Sequence, residues 1–148
     1  MAPISFNERL DLLQRVSRGW LELKKAFEAP SLTEMDAPVS PGGWTGRDLL
    51  VHLAVWDEEL TRVLLDLNSG LTEAWPDMAG QALDAWNEER VAVFRDIPAA
   101  DALDYFEQAH FELMELLEGS PSVTRALVEP AIGHYAEHLQ QIRNRKRP

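Results

Sequence analysis

Three of the four histidines in this chain have a spacing that suits a metal site. His134 and His138 are four residues apart, so on a helix both imidazoles project from the same face, one turn apart. His52 lies on the inner flank of an apolar stripe in an earlier helical segment. Imidazoles are good ligands for Zn²⁺, Ni²⁺, Cu²⁺ or Fe²⁺, and three of them leave a coordination position open. The spacing predicts a divalent-metal centre shared by two helices, with Zn or Ni as the expected ion.

The alternative is that each of these histidines is an ordinary amphipathic side chain at a helix flank. The fourth, His110, lies near the middle of an apolar stripe, which favours a core histidine hydrogen-bonded to a neighbour over a pocket residue. Residues 134–138 also fit H-x-x-E-H, a metalloprotease pattern. Only ten residues follow His138, which leaves no room for that class's distant third ligand. We therefore expect Glu137 to face solvent.

Helical periodicity accounts for most of the chain. Apolar residues recur at spacings of three and four in five segments, at about residues 6–28, 46–68, 80–96, 99–118 and 130–145. Thr45 and Asp48 have the spacing of a capping box at the start of the second segment. Pro30 ends the first segment, and Pro130 is suited to open the last. Residues 29–43 and 71–79 are predicted loops. Because no segment alternates with the period of a strand, the sequence predicts an all-α fold.

Composition restricts the class of protein. The 148 residues form one predicted domain, 1–148, with a basic tail at 143–148. The net charge of −11 argues against nucleic-acid binding. The chain has no cysteine, so histidine and carboxylate are its only strong metal ligands. No apolar run approaches the roughly 20 residues of a membrane span, and the N-terminus lacks a signal-peptide pattern, so we expect a cytoplasmic protein.

Three further polar residues occupy faces that are predicted to point inward. Asn87 and Arg90 share the apolar face of the 80–96 helix, and Tyr135 lies on the inner face of the last helix. A polar group on such a face costs free energy unless it has a partner. We therefore expect these three side chains to orient a small-molecule substrate. The alternative for Asn87 and Arg90 is that either caps a helix end, or faces solvent if the 80–96 helix is rotated.

Two stretches resemble the DinB-like (YfiT-like) superfamily. Residues 44–60, WTGRDLLVHLAVWDEEL, resemble its second helix, and residues 134–143, HYAEHLQQIR, resemble its last helix. The positions that match the family pattern are Trp44, Asp48, His52, Trp56, His134, His138, Ile142 and Arg143. The segment 85–87 is most similar to the ClbS/DfsB branch and, more distantly, to mycothiol-dependent maleylpyruvate isomerases.

The resemblance implies a four-helix bundle, with the 80–96 helix in the crossover, and a divalent metal held by His52, His134 and His138. The ClbS-like branch often lacks the full triad, so its presence here favours the metal-binding members. The implied function is that of a metal-dependent small-molecule transferase, using a low-molecular-weight thiol as cosubstrate, or of a hydrolase. The alternative is a non-catalytic metal- or small-molecule-binding protein of stress or self-protection. The resemblance and the flat faces of such bundles also favour a homodimer.

Overall fold

The computed structural model describes residues 4–28, 34–39, 43–71 and 79–145, and it confirms the predicted all-α fold. Within these ranges there is no strand, and the β-type pairing is an isolated bridge between Pro38 and Thr45. A single 3₁₀ turn, Glu34–Asp36, precedes the second helix. The helices are α1 (Phe6–Glu28), α2 (Gly46–Asn68), α3 (Gly80–Val93), α4 (Ala99–Gly119) and α5 (Arg125–Arg145).

Helices α1, α2, α4 and α5 form a bundle around one apolar core. α2 packs mainly on α4, and α1 mainly on α5, while α1–α4 and α2–α5 contacts close the bundle. α3 packs against the outside of α2 and buries only Val91 fully. The largest fully buried side chains include Leu12, Leu23, Leu53, Phe106, Leu113 and Tyr135. The bundle therefore brings one face of α2 against one face of α5, and α3 covers that junction from outside.

A complete capping box fixes the start of α2. The Asp48 backbone N–H donates to Thr45 Oγ1 over 3.2 Å, and the Thr45 N–H donates to Asp48 Oδ2 over 3.2 Å. Two of the backbone donors at the start of the helix thus have partners, as the sequence predicted. With its first turn fixed, α2 places His52 on a buried face.

Helix α5 begins five residues earlier than the position suggested by Pro130. Thr124 caps it, because the Leu127 N–H donates to Thr124 Oγ1 over 3.3 Å. Pro130 lies inside the helix and lacks the N–H that would bond to the Ala126 carbonyl. Ala126 is exposed, so water can hydrate that carbonyl and the helix tolerates the proline. α3 is also shorter than predicted, because the chain turns after Val93.

Parts of three predicted features lie outside the described residues. They are the loops at 29–43 and 71–79, of which residues 29–33, 40–42 and 72–78 are not described, and the basic tail, of which residues 146–148 are not described. None of the helices that are described combines the length and the apolar character needed to cross a membrane.

Candidate metal centre

The bundle brings the three predicted ligands together at the α2–α5 junction. His134 Nε2 lies 2.9 Å from His52 Nε2 and 2.9 Å from His138 Nε2. All three ligand atoms lie within 4.8 Å of one another. Two nitrogens bound at about 2.0–2.1 Å to a tetrahedral ion are about 3.3 Å apart. Two of the spacings are therefore within a few tenths of an ångström of those that a single ion requires.

Hydrogen bonding alone cannot satisfy this cluster. Gln141 Oε1 lies 2.7 Å from His138 Nδ1, so Nδ1 carries the proton and His138 Nε2 presents a lone pair. His134 Nε2 then has a single proton to donate along two contacts. A metal ion, in contrast, accepts a lone pair from all three Nε2 atoms at once. The donor set therefore fits a metal ion better than it fits a hydrogen-bonded histidine cluster.

Burial keeps the three imidazoles neutral. Desolvation is the main cause that lowers the pKa of His52 to about 2, and repulsion from His134 and His138 adds to it. Desolvation, followed by repulsion from His138, lowers the pKa of His134 to about 3. Desolvation also lowers the pKa of His138, although the bond to Gln141 and the charge of Glu137 oppose it. At neutral pH a metal ion would not have to displace protons from these nitrogens.

A cavity of about 800 Å³ adjoins the histidines, a volume in the range of small-molecule sites. Its walls come from α2, α3 and α5, together with Trp44, which precedes the cap residue of α2. The lining residues are Trp44, His52, Trp56, Asp57, Leu83, Asp84, Asn87, Pro130, Ala131, Gly133, His134, Glu137 and His138. Glu137 is exposed, as expected, and also contributes to this wall.

Two tryptophans at the cavity donate hydrogen bonds to side chains of α3. Trp56 Nε1 donates to Asn87 Oδ1 over 2.8 Å, and Trp44 Nε1 donates to Glu88 Oε2 over 2.8 Å. The Trp44 ring also lies beside His52, with 4.6 Å between the ring centroids. Because α3 buries little apolar surface of its own, these two hydrogen bonds and the packing of the indole rings define the cavity on the α3 side.

The three predicted substrate-orienting residues have different positions. Asn87 lines the cavity and accepts the Trp56 hydrogen bond. Arg90 is exposed, and its guanidinium lies over the Trp86 ring, 5.0 Å from the centroid, away from the cavity wall. Tyr135 is buried in the core behind the wall, where its O–H donates to Asp57 Oδ1 over 2.6 Å. Of the three, Asn87 alone is part of the wall.

Sequence reasoning overlooked Asp57, which lines the cavity and is only 2% exposed. Desolvation raises the pKa of Asp57 to about 7, even though the Tyr135 hydrogen bond acts in the opposite direction. The residue lies at the start of the acidic run 57–59, which resembles a solvated helix face. The signal that could have found it is its spacing of four from Leu53 and three from Leu60, which places it on a buried stripe.

His110 lies apart from the other three histidines. It is buried and stacks on Trp20, with the ring centroids 4.1 Å apart and the planes within 4° of each other. The predicted hydrogen bond to a neighbour is not made at Nδ1, which is buried without a partner. Stacking on Trp20 therefore positions this ring without a hydrogen bond at Nδ1. His110 also lines a separate groove beside Trp20, Lys24 and Phe111.

A second cavity, of about 390 Å³, reaches His138 from another side. It shares Trp44 and His138 with the larger cavity. Its wall is more polar, because it includes Asp48, Glu88 and Arg95. The histidine cluster is thus bordered by two spaces of different size and polarity.

A family model described as the DinB superfamily matches residues 15–142. The chain belongs to this superfamily, and the match covers α2, most of α5 and all three clustered histidines. No curated protein and no solved structure showed significant similarity to the chain.

Proposed function

We propose that this protein is a divalent-metal-dependent enzyme acting on a small organic molecule, either as a thiol-dependent transferase or as a hydrolase. The observation that carries the proposal is the convergence of three neutral imidazole nitrogens beside a cavity of about 800 Å³. Three nitrogen ligands leave a position open, which is the arrangement of catalytic rather than structural metal sites. Zn or Ni suits such a donor set.

His52, His134 and His138 would hold the divalent metal, which would supply Lewis-acid activation of a water molecule or a thiol. The protein's own contribution is to keep the ligands in place. Gln141 fixes the tautomer of His138 and turns its Nε2 towards the other two nitrogens. The rings of Trp44 and Trp56 lie beside His52 and His134, where they would restrict the access of bulk water to the centre.

A thiol-dependent reaction requires a cosubstrate, because the chain contains no cysteine. The second cavity supports this version of the proposal, since two substrates that react at one centre can occupy separate spaces beside it. In this arrangement the larger, more apolar cavity receives the electrophilic substrate, and the smaller, polar cavity receives the thiol. Hydrolysis needs only the larger cavity, so thiol dependence distinguishes the two reactions.

Asn87 is the residue proposed to orient the substrate from α3, because its amide lies in the wall and is fixed by Trp56. From their positions, Arg90 and Tyr135 would act indirectly. Arg90 would brace α3 through Trp86, and Tyr135 would hold Asp57.

We keep the ClbS/DfsB branch as the proposed closest subgroup, on the segment 85–87. The cytoplasmic location and the homodimer also stay predictions.

The test is a screen of thiol and electrophile pairs, and of hydrolysable esters and amides, with purified protein. We expect an activity that chelation abolishes and that Zn²⁺ or Ni²⁺ restores. His110→Phe is the matched control, because it removes a histidine outside the cluster. An activity that survives both chelation and triple His→Ala substitution would refute a catalytic role for the cluster. Stoichiometric metal and ligand binding without turnover would instead indicate the non-catalytic alternative.

A further inference from the structure

The metal centre leaves one buried polar atom in the cavity wall unexplained. Asp57 Oδ1 accepts the hydrogen bond from Tyr135, but Asp57 Oδ2 is buried and has no hydrogen-bond partner. Buried carboxylate oxygens in folded proteins nearly always have one. Because Asp57 lines the cavity, a donor group on a bound molecule would supply the missing bond once the wall adjusts to expose this oxygen.

Charge also favours a positively charged donor. Burial raises the pKa of Asp57 to about 7, which means that its carboxylate form lacks a counter-charge in the protein alone. The described cavity wall contains two further acids, Asp84 and Glu137, and no lysine or arginine. A cation bound beside Asp57 would supply the missing counter-charge.

The aromatic walls favour the same kind of ligand. Trp44 and Trp56 both line the cavity, and tryptophan faces attract organic cations more strongly than other aromatic rings do. Leu83, Pro130 and Ala131 add apolar surface for the body of the ligand. The wall thus combines an unpartnered carboxylate, two indoles and an apolar surface.

We propose that Asp57 anchors the protonated amine of a small organic ligand whose apolar body packs between the tryptophans. The inference rests on the proposed function only in that the ligand occupies the cavity beside the metal centre. Asp57 follows His52 by five residues on α2, a rise of about 7.5 Å along the helix axis. Tyr135 is a positioning residue, because it holds the Asp57 carboxyl in place.

The test compares three probes that share one apolar body, namely 2-phenylethylamine, 2-phenylethanol and phenylacetate. Calorimetric titration at pH 7.5 is expected to show the amine binding at least tenfold more tightly than the alcohol or the acid. This preference in the wild-type protein requires no variant. Equal or tighter binding of the alcohol or the acid, or no binding of the amine at millimolar concentration, overturns the proposal.

Two variants test whether Asp57 causes the preference for the amine. Asp57→Asn keeps an acceptor for Tyr135 and is expected to weaken amine binding at least tenfold, with alcohol binding changed by less than twofold. Glu58→Gln, at an exposed neighbour outside the wall, is expected to change neither. An unaltered preference in Asp57→Asn overturns the assignment to Asp57.

Metal content, measured on the same samples, separates this inference from the proposed function. A protein that binds metal but shows no amine preference contradicts only the inference. A protein that shows the preference but binds no metal contradicts only the proposed function.

Discussion

His52 Nε2 on α2 lies 2.9 Å from His134 Nε2 on α5, although 82 residues separate them in the chain. This contact depends on the rotation of both helices about their axes, because a turn of one residue, about 100°, would move either ring out of reach. The packing of α2 on α4 and of α5 on α1 defines those rotations. The cluster is therefore a property of the packed bundle, and its behaviour should depend on the bundle's stability.

The histidine cluster should make the metal-free protein sensitive to acid. The pKa values of His52 and His134 are about 2 and 3 when folded, against 6.5 for a free histidine, and that of His138 is lowered too. A lowered folded pKa gives stability above pH 6.5 that is lost as the pH falls below it. We expect the free energy of unfolding to fall by up to about 4 kcal/mol per pH unit below pH 6.5 through these three groups.

Urea unfolding of chelated protein between pH 7.5 and pH 5 measures this slope. The control is the triple variant His52→Asn, His134→Asn, His138→Asn, which should depend less steeply on pH. Identical slopes for the two proteins would mean that the histidines ionise freely in the folded state.

Gln141 should control metal affinity without touching the metal. Its Oε1 accepts from His138 Nδ1 and so selects the tautomer with a free Nε2. We expect Gln141→Leu to weaken Zn²⁺ binding about 10–100-fold, which is typical of losing such a partner. Gln140→Leu is the matched control, because Gln140 is exposed and bonds to Asn144 instead. Competition with a chromogenic chelator gives both affinities. Equal affinities would remove the orienting role of Gln141.

Asp57 should reduce the stability of the ligand-free protein at alkaline pH. Its raised folded pKa means that stability is full below pH 3.8 and is lost as the pH rises through about 7. From the size of this pKa shift, burying the ionised carboxylate costs about 4 kcal/mol of folding free energy. Burying the unpaired amide of Asp57→Asn would cost about half as much.

We therefore expect Asp57→Asn to raise the free energy of unfolding by about 2 kcal/mol at pH 8. The gain should be lost at pH 5, where the wild-type carboxyl is protonated. Asp84→Asn, at an exposed acid of the same wall, is the matched control. A wild-type protein that is more stable than Asp57→Asn at pH 8 would mean that the carboxylate has a counter-charge.

His110→Phe should stabilise the protein and leave the metal centre unchanged. Phenylalanine can keep the stacking on Trp20 and removes the unpartnered Nδ1. Relief of one buried unpaired polar atom is worth about 1–3 kcal/mol. Thermal unfolding at pH 7 measures the gain, and metal content serves as the control. A destabilised variant would show that Nδ1 has a partner, such as a bound water.

The helices and the histidine cluster were accessible from the sequence because both depend on local spacing. The four-residue interval places His134 and His138 on one face, and the apolar stripe of α2 places His52 on its inner flank. The position of Asp57 in the site could not be predicted from the sequence. Its partner Tyr135 lies 78 residues away, and their contact depends on how the helices are rotated. The start of α5 was misplaced because Pro130 is a strong helix-start signal, whereas the cap at Thr124 is weaker.

The position of Arg90 shows a further limit of periodicity. Arg90 and Asn87 are three residues apart on α3, so the sequence places them on one face. Only part of that face borders the cavity. Asn87 lies in the cavity wall, whereas Arg90 packs on Trp86 at the surface. Where a helix is attached by a few contacts, as α3 is, sequence spacing does not determine which part of a face meets the site.

Elemental analysis of protein purified without chelators tests the metal centre most directly. We expect about one divalent ion per chain in the wild type and in His110→Phe, and much less in His52→Ala, His134→Ala and His138→Ala, because each removes one of three ligands. Circular dichroism establishes that the variants remain folded. The same low, sub-stoichiometric metal content in wild type and His138→Ala would contradict the assignment of His52, His134 and His138 as a metal site.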